Sequence, residues 1–196
     1  MSKASLRQSA RILTLVDEAG WDGKAVQKFI EKWGLIRDIA DAVCGGHVDE
    51  DRLRALINTI DCSVQPMIPN GWEIRPEDQI ASRFRGELIW TPEKIRLHLD
   101  PGQADGGVLK GDDIRKRLEG QPVLPANVGD YLLAHPVLIP SDWKGKYIYF
   151  WGTVFHNSDN GLCVRYLCWG ARGWHWSNGW LDFGWRGQGP AAVLAG

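Results

Sequence analysis

Six of the chain's eleven tryptophans fall between Trp151 and Trp185. Glycine, serine, alanine, histidine, cysteine and arginine separate them in no evident order. Each indole carries a large apolar area, so this run must pack into a core or stand as an aromatic surface. No lysine follows Lys146 and no glutamate follows Glu119. One set of positions is rigid and aromatic, and the set between follows no pattern. That combination reads as a scaffold carrying a variable surface.

Periodicity places this run on strands. Tyr147, Ile148, Phe150, Trp151 and Val154 make a strongly strand-forming segment. The Asn160-Gly161 turn joins it to a second strand, LCVRYLCW. GARG at 170–173 is the next turn, Trp174-His175-Trp176 starts a third strand, and the tail from Gly184 reads as loop. Upstream, Ile95, Leu97 and Leu99 alternate with Arg96, His98 and Asp100, as in a half-buried strand. The glycine-rich stretch at 101–107 lacks the Gly-Lys-Ser/Thr ending of a phosphate loop and reads as a turn. Two helices follow, GDDIRKRLEG stopped by Gly120 and ANVGDYLLAH closed by Pro136. Residues 4–62 carry apolar residues at helical spacing, among them Leu53, Leu56, Ile57 and Ile60. Residues 63–82, with three prolines and an Asn-Gly turn signal, read as a connector. The expected organisation is a helical region over 1–65 and an α+β domain over 66–196.

Composition narrows the function classes. A net charge of −1 over 196 residues gives no electrostatic case for nucleic acid. No apolar run approaches the length of a membrane span. The N-terminal sequence lacks the apolar core of a signal peptide, so a cytoplasmic location is expected, with surface or phage display as the alternative. Cys44, Cys62, Cys163 and Cys168 are too few and too uneven for a disulfide framework and are expected to be reduced thiols. No Ser/His/Asp grouping, paired acids or nucleotide fingerprint is present, so neither catalysis nor a cofactor is expected.

The stretch Trp174-x-Trp176-x-Asn178-x-Trp180-Leu181-Asp182-x-x-Trp185, followed by Pro190, resembles the landmarks of C-type-lectin-like domains. The resemblance is closer to the variable proteins of diversity-generating retroelements. It is carried by Phe150-Trp151-Gly152-Thr153, by Asn157-Ser158-Asp159 with Gly161, by Leu162, Val164, Arg165, Leu167 and Trp169, by the tryptophans just named, and by Pro190, Ala191, Ala192 and Leu194. Asn160, inserted before Gly161, departs from the pattern. The resemblance spans roughly residues 66–196 and implies a C-type-lectin-like fold with a hypervariable ligand-binding face. In such systems asparagine codons are diversified by mutation at adenines. The residues reached exclude Lys, Glu, Gln, Met and Trp.

The positions between the fixed residues are Phe155, His156, Cys163, Tyr166, Cys168, Gly170, Ala171, His175, Ser177, Gly179, Phe183, Gly184, Arg186, Gly187 and Gly189. All lie in the reachable set, and Gln188 does not. Strand alternation adds a tension, because Cys163 should face away from Tyr166 and Cys168. The same parity argues against a zinc site of His156, Cys163, Cys168 and His175 and against a Cys163–Cys168 disulfide. The function expected from the resemblance is non-catalytic recognition of an unidentified protein or other macromolecule. An aromatic carbohydrate-binding module is the alternative. The calcium-lectin motif Glu-Pro-Asn is absent, with Gly187-Gln188-Gly189-Pro190 near its expected place.

Overall fold

A five-stranded sheet with helices on both sides is the centre of the fold. The computed structural model describes residues 58–196, which form one unit. The helical readings over 4–57 lie outside the described residues. In chain order the strands are β1 (Thr59–Asp61), β2 (Glu87–Ile89), β3 (Ile95–His98), β4 (Leu109–Lys110), β5 (Ile148–His156), β6 (Leu162–Gly170), β7 (Gly173–Trp180), β8 (Gly184–Trp185) and β9 (Ala191–Leu194). The helices are α1 (Gly111–Arg117) and α2 (Ala126–Ala134). The main sheet has the order β3-β9-β5-β6-β7, and β1-β2 and β4-β8 are separate two-stranded ribbons.

Two expectations are corrected. Thr59–Asp61, read as the end of a helix, is a strand paired antiparallel with Glu87–Ile89. Its cross-strand partners override the helical spacing of the residues before it. The tail read as loop contains β9, which sits between β3 and β5. Ala191, Ala192 and Val193 are all buried, so β9 has no polar alternation and its four residues carry no periodic signal.

The sheet separates two apolar clusters. On one side, Ile148, Phe150, Phe155, Cys163 and Leu167 pack with Val128 and Leu132 of α2. On the other, Tyr149, Trp151, Val154, Val164, Leu181 and Trp185 pack with Ile114 of α1. The β5–β6 register slips between Tyr149 and Val154, so Phe155 joins the cluster of Phe150 although simple alternation would put it with Trp151. At this irregularity Gly152 meets the chain entering α2. A Cβ there would lie 2.7 Å from the Leu124 carbonyl carbon and the Pro125 nitrogen. Thr153 Oγ1 accepts from Ala126 N at 3.0 Å, satisfying an otherwise free amide in the first turn of α2. No helix among the described residues is long and apolar enough to cross a membrane.

Candidate functional site

The β6–β7 ladder is regular from Cys163↔Trp180 to Gly170↔Gly173. Side chains therefore alternate without interruption. Arg165, Leu167, Trp169, Trp174, Trp176, Asn178 and Trp180 share one face. Tyr166, Cys168, Gly170, His175, Ser177 and Gly179 share the other. Six of the positions singled out in the sequence thus fall on one face of one hairpin. Ala171, in the tight turn of that hairpin, is exposed. Phe183, Gly184, Arg186 and Gly187, in the following loop, are also exposed.

Five positions do not present side chains to solvent. Phe155 and Cys163 are fully buried, Phe155 because of the β5 register slip and Cys163 because of the parity noted above. His156 is buried, with Nε2 2.5 Å from Asp78 Oδ2, and its backbone pairs with Glu73. Gly189 is buried against Tyr149. Cys168, although on the same face as Tyr166 and His175, is buried as well, with its thiol against the His175 ring. These five are corrected from exposed positions to buried ones.

An open cleft of about 290 Å3 lies beside the hairpin face, between the start of β5 and the 183–189 loop. Tyr147, Tyr149 and Trp185 give it aromatic walls, and Phe183 and Arg186 stand at its rim. Phe183 is 62% exposed and Tyr147 42%. Tyr149 is held between aromatic neighbours, 4.7 Å from Tyr166 and 4.2 Å from Trp185 between ring centroids. Burial raises its hydroxyl above the ordinary tyrosine value, so it stays a neutral phenol. Two glycines keep the cleft open. A Cβ at Gly179 would fall 2.7 Å from both the Trp185 and Tyr149 rings, and one at Gly189 2.7 Å from the opposite edge of Tyr149. Tyr147, Tyr149 and Gln188 line this cleft but were not singled out from the sequence. Tyr147 enters the sequence reading only as a strand former and Tyr149 does not enter it, although their i, i+2 spacing puts them on one face.

Beneath the opposite face a polar cluster anchors the hairpin to α2. Asp130 Oδ1 accepts from Trp176 Nε1 at 2.7 Å, and Oδ2 accepts from Met67 N at 2.8 Å. Arg165, almost fully buried, lies 3.6 Å from Asp130 and stacks on Trp176 with 4.3 Å to the ring centroid. Burial alone pulls the guanidinium below its ordinary value, and the Asp130 charge opposes that. Gly129 in α2 completes the fit, because a Cβ there would lie 2.1 Å from Trp176 Cη2.

Of the tryptophans from Trp151 to Trp185, only Trp169 is largely exposed, at 46%. It stands T-shaped to Trp174 with Lys144 4.1 Å above it. Cys62, Cys163 and Cys168 are free thiols. Burial pushes Cys62 and Cys163 up to about 12 and raises Cys168 as well. Cys168 Sγ lies 3.2 Å from His175 Nε2, while Cys163 is on the other side of the sheet. Comparison with known proteins finds no matching family model, no matching curated protein and no matching solved structure.

Proposed function

We propose that this chain is a non-catalytic recognition protein with a C-type-lectin-like fold. Its C-terminal face, within residues 155–189, is a hypervariable binding surface diversified by a retroelement. The observation that carries this reading is the segregation along β6 and β7. Six of the seven positions without sequence rule on these strands share one face, Cys163 being the exception, and Trp169, Trp174, Trp176 and Trp180, which resemble fixed family positions, share the other. The order β3, α1, α2 and then three antiparallel strands supports the lectin-like assignment. A scaffold anchored by Trp176, Arg165 and Asp130 on the far side tolerates exchange on the near side, because outward substitutions away from such networks change stability little. The tyrosine, serine, arginine and glycine content of the face and cleft resembles that of antibody paratopes. The target is a macromolecule, and the aromatic cleft receives one protruding group of its surface.

One observation favours the carbohydrate reading, the exposed Trp169 beside Trp174. It is a single platform on the face opposite the variable one. Randomising Tyr166, His175, Ser177, Phe183 and Arg186 together in a displayed library tests the proposal. Most clones should fold, and selection on unrelated target proteins should enrich binders. A library that is mostly unfolded, or a folded one that binds only glycans and does so through Trp169, contradicts it.

A further inference from the structure

Cys168 and His175 face each other across β6 and β7 as a direct cross-strand pair. Sγ lies 3.2 Å from Nε2, and Nδ1 of the same ring lies 3.1 Å from the Gly173 carbonyl oxygen. A carbonyl only accepts, so Nδ1 carries the hydrogen and Nε2 turns its lone pair toward the sulfur. This outer hydrogen bond is the arrangement that orients metal-binding histidines. Gly170 makes the ring position possible, since a Cβ there would sit 2.7 Å from His175 Cε1.

From this geometry we propose that Cys168 and His175 form a two-donor site for a zinc-class divalent ion on the variable face. A tetrahedral zinc with its sulfur at about 2.3 Å and its imidazole nitrogen at about 2.0–2.1 Å spans roughly 3.5 Å between donors. The pair as it stands is short of that bite by about 0.3 Å, within reach of small side-chain rotations. The ion takes the place of the thiol proton. Cys168 Sγ and His175 Nε2 bind it, and one proton leaves to solvent with no change of oxidation state. Among the described residues no group of three or more His, Cys, Asp or Glu side chains is placed to hold a metal. Two coordination positions therefore stay open to water or to donors from another molecule. Cys168 is buried and His175 is exposed, so the open positions are reached from the His175 side. The site does not depend on which target the face recognises.

Cobalt(II) titrated into the full chain under reducing, chelator-free conditions reports the site by its thiolate-to-metal absorption band. The band should saturate at one ion per chain. Cys168→Ser should abolish it, and His175→Ala and Gly170→Ala should each weaken binding at least about tenfold. Cys44→Ser should leave it unchanged. Tryptophan fluorescence and thermal melting of the metal-free variants establish that they fold. Absence of the band in the parent, its survival in Cys168→Ser, its loss in Cys44→Ser, or an unchanged affinity in His175→Ala overturns the proposal.

Discussion

Consecutive residues on β7 should differ sharply in what they contribute to stability. Trp176 packs T-shaped on Phe150 with 5.5 Å between centroids, stacks under Arg165 and donates to Asp130. Truncating a tryptophan in such a place removes about 3–5 kcal/mol. Trp176 keeps part of its ring in solvent, which pulls the packing share toward the lower figure. Loss of a hydrogen bond to a charged acceptor adds about 1.5–3 kcal/mol, toward the lower end because Asp130 is partly solvated. Trp176→Ala should therefore cost about 4–5 kcal/mol, a large part of a typical domain's total of about 5–15 kcal/mol. Trp176→Phe, which keeps a ring but loses the Nε1 donor, should cost about 2 kcal/mol. His175→Ala and Ser177→Ala, on either side in sequence but on the opposite face, should each stay within about 0.5 kcal/mol. Urea unfolding followed by tryptophan fluorescence, with matched denaturant slopes, measures all four. A loss below about 1 kcal/mol for Trp176→Ala, or above about 2 kcal/mol for either neighbour, would refute the division of the hairpin into scaffold and variable faces.

Three further outcomes follow from the same contacts. Asp130→Ala strands the buried Arg165 guanidinium without its counter-charge and frees two donors. It should cost about 3 kcal/mol in chemical denaturation. Gly179→Ala pushes into Tyr149 and Trp185 and should cost about 1–3 kcal/mol with altered near-ultraviolet circular dichroism, although Gly179 lies on the variable face. Cys163, which burial pushes from 9.0 up to about 12, keeps its proton in the folded state where the unfolded chain loses it. Its contribution is fully present below pH 9 and is lost as pH rises toward about 12. Unfolding free energy should thus fall as pH rises from about 9 toward about 12, and Cys163→Ala should remove part of that fall, Cys62 supplying a like share. An equal pH slope in parent and variant contradicts the assignment.

The parts of the fold legible in sequence are those set by local chemistry. The Asn160-Gly161 turn, with Asn160 at φ 60, announced the β5–β6 hairpin. Gly120 and Pro136 announced the ends of the helical segments. Parity along β6 correctly set Cys163 apart from Tyr166 and Cys168. What stayed hidden depends on residues far apart in the chain. Phe155 turned inward because β5 carries an irregularity where Gly152 passes Leu124 and Pro125. His156 was withdrawn from the surface by Asp78, 78 positions away. β9 is four residues of small and apolar character whose strand identity comes only from β3 and β5 on either side. The cleft joins Tyr147 and Tyr149 to the 183–189 loop, a meeting that no local pattern encodes.

The most direct test of the diversified-face account is the DNA sequence around the gene. The account predicts a near-copy of the DNA encoding the tryptophan-rich stretch from β5 to β9 beside a reverse-transcriptase gene. Mismatches should fall at adenines of the copy and concentrate in codons for Tyr166, Cys168, Gly170, His175, Ser177, Phe183 and Arg186, with the codons of Trp174, Trp176, Trp180 and Trp185 unchanged. Absence of such a copy, or mismatches that strike the tryptophan codons as often as the face codons, would contradict it.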